Sequence, residues 1–130
     1  MTPVRPHELL GENRSGHDDL VRRLLTVIDL ADWSALAELV TDDICYDRPG
    51  YPTIRGVREL LEFYRHTRIV GSGKHQLDQL LTDDTQGFCW GSFVGVSRSG
   101  QPIDEVFADW YAFAEHRISR RRSFFFRPAI

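Results

Sequence analysis

The sequence predicts an α+β fold, with three N-terminal helices packed in a curved, mostly antiparallel sheet that encloses one pocket. Two observations carry this. Up to about residue 66 the apolar residues recur at helical spacing, and from Lys74 onward they alternate as in strands. Helices first and strands afterwards, joined by short turns, is the segregated order of an α+β fold. The strand signal is strongest at 105–113, EVFADWYAF, which is rich in aromatic and branched residues and has no Gly or Pro.

At 130 residues, 42% hydrophobic and 27% charged, the chain has the composition of one domain with its own core. A net charge of −3 gives no electrostatic basis for nucleic acid or an anionic membrane surface as a partner. No window approaches the roughly 18 apolar residues of a membrane span, and the start has no apolar signal core, so a cytoplasmic protein is expected. Two cysteines, Cys45 and Cys89, each fall in a strand candidate and are expected as buried free thiols.

Residues 1–14, with two prolines and a glycine, read as an arm, and 15–130 as the domain. Ser15 is the expected cap of the first helix, with Asp18 and Asp19 in its first turn favoured by the dipole. Its apolar stripe is Leu20, Leu24, Val27, Ile28 and Ala31. Asp32 caps a shorter helix with Leu36, Leu39 and Val40 buried, ended by Thr41-Asp42-Asp43. A short strand over 44–47 is broken by Arg48-Pro49-Gly50-Tyr51-Pro52, which a strand interior does not hold. After Gly56 a third helix buries Val57, Leu60, Leu61 and Tyr64, and Gly71-Ser72-Gly73 closes the helical half. Strands follow over about 74–82, 86–97, 103–114 and 117–126, and Pro128 ends pairing.

Alternation places Glu105, Phe107, Asp109, Tyr111 and Phe113 on one face of the third of these strands. Asp109 then stands among aromatics. A carboxylate there is either paired or kept neutral by desolvation. In the last strand Arg121, Ser123 and Phe125 share a face; Arg121 is either part of a solvated arginine run or a charge aimed at Asp109 or an anion. His75, at the start of its strand, lines either the pocket mouth or the surface. Trp90, Val94, Phe107 and Phe125 are candidate apolar walls. No His or Cys pair has metal-ligand spacing, and no Gly-rich loop follows a strand, so neither metal nor cofactor is expected.

In this order the chain resembles the nuclear-transport-factor-2-like superfamily, a conical α+β barrel, and within it the ketosteroid-isomerase and SnoaL-like polyketide-cyclase branch. The resemblance covers about 15–128. It rests on the helix with an acidic stop over 33–43, the strand into Tyr46-Asp47-Arg48-Pro49-Gly50, the helix after Arg55-Gly56, and the hairpin of Asp109-Trp110-Tyr111-Ala112-Phe113 with Arg117-Ile118. It implies Asp47, before Pro49, as general base and Asp109, with Phe113 four residues on, as a protonated acid in an oxyanion hole. The isomerases carry a further tyrosine on the first helix, where this chain has Leu24. Tyr51, Tyr64 and Tyr111 are the candidates to replace it, and the composition of the pocket fits the cyclases better.

The expected function is cofactor-independent acid–base chemistry through an enol(ate), namely isomerisation, aldol cyclisation or dehydration, on a small apolar carbonyl or polyketide-like compound of secondary metabolism. Epoxide opening is the alternative within the same fold, with Arg121 beside Asp109 as its required feature. The third reading is a non-catalytic module that binds a hydrophobic ligand. A homodimer is expected through Trp110, Phe124 and Phe126 on the face opposite the pocket.

Overall fold

The computed structural model describes residues 14–126; most of the expected arm and Pro128 lie outside them. A 3-10 turn over Arg14–His17 leads into helix α1, Asp18–Asp29. Its cap position is held by His17 and not by Ser15, with Asp18 and Asp19 in the first turn as expected. The His17 ring stacks on Phe113 at 4.2 Å and meets the Asp83 carbonyl through Nδ1 at 3.0 Å, which docks the helix start on the sheet. Val21, Leu24, Leu25, Val27 and Ile28 form the buried stripe.

Asp32 caps helix α2, Trp33–Leu39, by accepting the Ala35 N–H at 3.2 Å. Strand β1, Val40–Asp47, begins at once, so the acidic run expected to stop the helix lies in the strand. A two-residue strand β2, Ile54–Arg55, follows the Pro/Gly loop and pairs with β1; it is too short to have left a periodic signal. Gly56, at φ +87°, turns the chain into helix α3, Gly56–Glu62, which continues as a π turn over Phe63–Thr67.

Four long strands complete the chain: β3 Val70–Thr82, β4 Gln86–Ser97, β5 Pro102–Ala114 and β6 Arg117–Phe125. The Gly71–Gly73 segment expected as a loop is therefore strand. The sheet order is β2-β1-β6-β5-β4-β3, antiparallel except where β1 lies parallel to β6. It is a curved, unclosed mixed sheet with the helices packed in its concavity.

Glycine sets that curvature. A Cβ at Gly91 would lie 2.0 Å from the Gln76 carbonyl oxygen, and one at Gly95 would lie 2.1 Å from that of Ser72. Strand β4 can bend against β3 only because both side chains are missing. A register shift between Leu77 and Gln79 adds twist and returns Leu80 to the inner face.

Candidate active site

The centre of the site follows from the β5–β6 register. Asp109 pairs with Ser123, Phe107 with Phe125 and Tyr111 with Arg121, so all six side chains share the inner face. Across β4, Cys89 stands opposite Asp109 and Gly91 opposite Phe107.

Asp109 is 1% exposed and accepts four hydrogen bonds. Arg121 donates to Oδ2 from Nη2 at 2.9 Å and from Nε at 3.2 Å. The Tyr111 hydroxyl donates to Oδ2 at 2.8 Å, and the Ser123 hydroxyl to Oδ1 at 2.6 Å. Burial pushes this carboxyl up, but the Arg121 charge and the Ser123 and Tyr111 hydrogen bonds outweigh it and hold the group below the usual carboxylate range. The expected neutral acid is thus an ionised carboxylate; a buried guanidinium on the next strand overturns desolvation. The same carboxylate helps raise the Tyr111 hydroxyl, after burial as the larger cause.

Arg121 also donates from Nη1 to the Tyr64 hydroxyl at 2.8 Å. With its oxygen accepting from a cation, the Tyr64 hydroxyl has its own proton to give. Burial keeps this phenol raised. Tyr46 bonds to Ser123 Oγ at 2.8 Å and accepts from Arg48 Nη1 at 3.1 Å. Burial raises its hydroxyl, yet the Arg121 and Arg48 charges bring it below the usual phenol value.

A cavity of about 30 Å³ opens beside this network, narrow enough to seat one functional group or a water or two. Ile28, Tyr64, Arg68, His75, Phe93, Glu105, Phe107, Asp109, Arg121 and Phe125 are among the side chains on its wall. His75 brings a second acid–base element. Its Nδ1 meets Asp29 Oδ1 at 2.5 Å, and its backbone N–H donates to Asp29 Oδ2 at 2.9 Å. Where Nδ1 donates to the Asp29 oxygen, Nε2 keeps its lone pair. Among the described residues Nε2 has no hydrogen-bond partner.

The expected wall residues divide. Tyr64, His75, Phe107, Arg121 and Phe125 line the cavity with Asp109, and Tyr111 supports it from behind. Asp47 does not join them. Tyr46 is the residue of β1 that turns inward, so Asp47 faces outward, where Arg122 Nη2 donates to Oδ2 at 3.0 Å and the Thr53 hydroxyl donates to Oδ1 at 2.7 Å. The Thr53 bond comes first among the causes that hold its carboxyl low. Trp90 and Val94 also face outward, 47% and 58% exposed, because the inner face of β4 is Cys89, Gly91 and Phe93. Tyr51 packs edge-on against Phe63 beside a separate outer groove.

Asp29, Tyr46, Arg48 and Arg68 are site residues that sequence reasoning missed; for Ser123 it gives the face shared with Arg121 but no role. Asp29 did leave a signal: it stands in the last turn of α1, where the helix dipole disfavours an anion, so it calls for a partner. Arg48 lies in a Pro/Gly loop and Arg68 after a π turn, where no periodicity points anywhere. Among the described residues no group of three or more His, Cys, Asp or Glu is arranged to hold a metal ion, and no helix is long and apolar enough to cross a membrane.

A helix-filled α+β cone is the fold of the NTF2-like proteins, and comparison with solved structures bears this fold out. The chain belongs to the SnoaL-like family, whose domain matches residues 21–121. Among solved structures it is similar to an LEH-like epoxide hydrolase of M. tuberculosis, at 15% identity over 86% of this chain and 84% of that one, TM-score 0.75. A provisionally assigned SnoaL-like polyketide cyclase of Jannaschia is 14% identical over 97% and 92%, TM-score 0.74. A provisionally assigned ketosteroid isomerase of Kribbella flavida is 18% identical over 90% and 82%, TM-score 0.72. None of the curated proteins matches the chain at a significant level. At these identities the structural likeness defines the fold alone.

Proposed function

We propose that this protein is a cofactor-independent acid–base enzyme that enolises a small carbonyl compound, with His75 as the base. The observation that carries it is the His75–Asp29 pair, in which Nδ1 is engaged and Nε2 has no partner among the described residues, on a side chain that lines the same cavity as Tyr64 and Arg121. Nε2 takes the proton from the carbon next to the carbonyl, and the C–H electron pair moves into a C=C bond as the carbonyl oxygen gains negative charge. The Tyr64 hydroxyl, held by Arg121, donates to that oxygen. Tyr64 thereby takes the part of the tyrosine missing from the first helix. Asp109 fixes Arg121 and stays ionised; it is a positioning residue. Reprotonation at another carbon gives isomerisation, attack on a second carbonyl gives cyclisation, and loss of a β-hydroxyl gives dehydration. A polyketide-sized substrate requires the narrow cavity to widen, as movement of half-buried Arg48 and Phe125 at its wall would allow.

The test is deuterium incorporation from D2O at the α-carbons of cyclic diketones, followed by proton NMR. His75→Gln and Tyr64→Phe are each expected to slow exchange by roughly 10²–10⁴-fold, and Asp47→Asn to leave it unchanged. Exchange that survives His75→Gln but not Asp47→Asn would reverse the assignment.

One observation favours epoxide opening as the second reading: Arg121 does stand beside Asp109 at the cavity. Four donors on Asp109 make it a weak base, which ranks this reading lower. Diol formation from an epoxide with 18O from water would elevate it. The same proposal includes a homodimer across the outer sheet face, where Phe124 and Phe126 are 51% and 85% exposed.

A further inference from the structure

The guanidinium groups of the cavity outnumber the carboxylates beside them. Arg48, Arg68 and Arg121 all line the cavity, against two carboxylates, Asp109 and Glu105. Asp109 is committed to Arg121. Arg68 is different. It is only 7% exposed, its Nε is buried without a hydrogen-bond partner, and among the described residues its guanidinium makes no hydrogen bond or ion pair. Its contacts are aromatic: the group lies 4.9 Å from the centre of the Tyr64 ring and 5.6 Å from that of Trp33. Arg48 repeats the pattern. It lies over Phe63 and Phe125, only Nη1 is engaged, with Tyr46, and Nε is buried without a partner.

A buried cation without an acceptor is costly, and a fold retains one where something else supplies the anion. Burial lowers the Arg68 basicity, and the neighbouring Arg48 charge lowers it further. The backbone nevertheless holds Arg68 firmly. Arg98 donates from Nε to the Arg68 carbonyl at 2.8 Å and from Nη2 to the carbonyls of Tyr64 and Arg65 at 3.1 and 2.9 Å. This fastens both ends of the π turn and keeps Arg68 at the wall.

We infer that the cavity receives a carboxylate group, held by the unpartnered N–H edges of Arg68 and Arg48, so that the substrate is a carboxylate-bearing carbonyl compound. The rings contact the guanidinium faces, so an oxyanion approaches along the N–H edge. There a flat carboxylate accepts two parallel hydrogen bonds. The cavity of about 30 Å³, walled by Phe93 and Phe107, has room for a group of carboxylate size. The carbonyl half of this statement rests on the proposed enolisation; the carboxylate half does not.

The experiment is a titration of 15N-labelled protein that follows the Arg68 Nε–Hε signal. The probes are acetate, crotonate and benzoate, each against its neutral amide, with sulfate as a further control. The carboxylates are expected to shift the signal saturably and the amides not at all. Arg68→Met should weaken carboxylate binding at least tenfold and Arg68→Lys by less. Arg68→Lys should leave the melting temperature of the free protein nearly unchanged, because the guanidinium makes no hydrogen bond or ion pair among the described residues and an ammonium can keep the contacts with the Tyr64 and Trp33 rings. The titration reads binding without turnover, and Asp47→Asn, on the outer face, should bind the carboxylates as well as the original chain does, so a failure of enolisation leaves this result standing. Amides that bind as well as acids, sulfate that binds as tightly as the carboxylates, or unchanged carboxylate binding in Arg68→Met would each overturn the assignment.

Discussion

At the scale of single residues, Asp109 is the group on which the interior depends. Replacing it by Ala leaves Arg121, 6% exposed, without its counter-charge, and such losses cost about 3–5 kcal/mol. Urea unfolding of Asp109→Ala should show a drop of that order. The carboxyl lies lower in the folded chain than in the unfolded one, so its contribution is fully present above the unfolded value. It is lost as the pH falls from about 4 through the lower folded value. Between pH 5 and pH 2 the original chain should therefore lose more stability than Asp109→Asn does. A parallel decline in both would show that other carboxylates govern acid unfolding. Cys89 offers a simpler check. Burial, and after it the Asp109 charge, push its thiol up to about 12. At pH 8 a thiol reagent should modify half-buried Cys45 alone in the folded protein, and both cysteines in denaturant.

At the scale of elements, the bend of the β3–β4 ribbon decides where His75 stands. His75 pairs with Phe93, and the glycines on either side, Gly91 and Gly95, allow β4 to close on β3 there. Gly91→Ala must push its methyl into the Gln76 carbonyl or flatten the ribbon. A cost of about 1–3 kcal/mol, measured by urea unfolding, is expected, together with loss of the His75–Asp29 contact. An imidazole proton signal unchanged from that of the original chain would show that the ribbon absorbs the methyl elsewhere. Gly100 makes the contrast. A Cβ there meets nothing within 4 Å, and the only objection to alanine is its φ of +89°. Gly100→Ala should therefore cost about 1 kcal/mol and leave the site intact.

At the scale of the molecule, the two faces of the sheet have opposite characters. The inner face holds the polar network beneath the helices, while the outer face exposes Phe88, Trp90, Val94, Val106, Phe124 and Phe126. Exposed apolar residues of this kind are what the proposed homodimer would cover. Light scattering should give twice the chain mass, and Phe124→Glu should shift it towards the monomer. A monomeric original chain would remove the dimer proposal and leave the cavity argument untouched. Asp47 belongs to this outer face with Arg120 and Arg122, 3.9 and 3.0 Å away, so its loss should act on stability or association before it acts on chemistry.

The amino-acid pattern by itself determined the order of the three helices and the long strands, the extents of β4, β5 and β6 to within a residue or so, and the inward face of β5 and β6. Each of these rests on local periodicity, which a linear chain displays without reference to its neighbours. It also brought out Asp109 and Arg121 as residues of one face. Whether Asp109 was neutral or ionised depended on a guanidinium twelve residues away, and only the pairing of two strands places that charge. On β1 and β4 the inward face was misjudged for a similar reason: Asp47 precedes a broken loop and Trp90 stands just before the bend at Gly91 and Gly95, so composition there does not reveal which side is buried. The union of Asp29 with His75, forty-six residues apart, was beyond any sequence pattern. Hydrogen bonding across that separation is a property of the packed sheet and helix, and tertiary structure alone decides it.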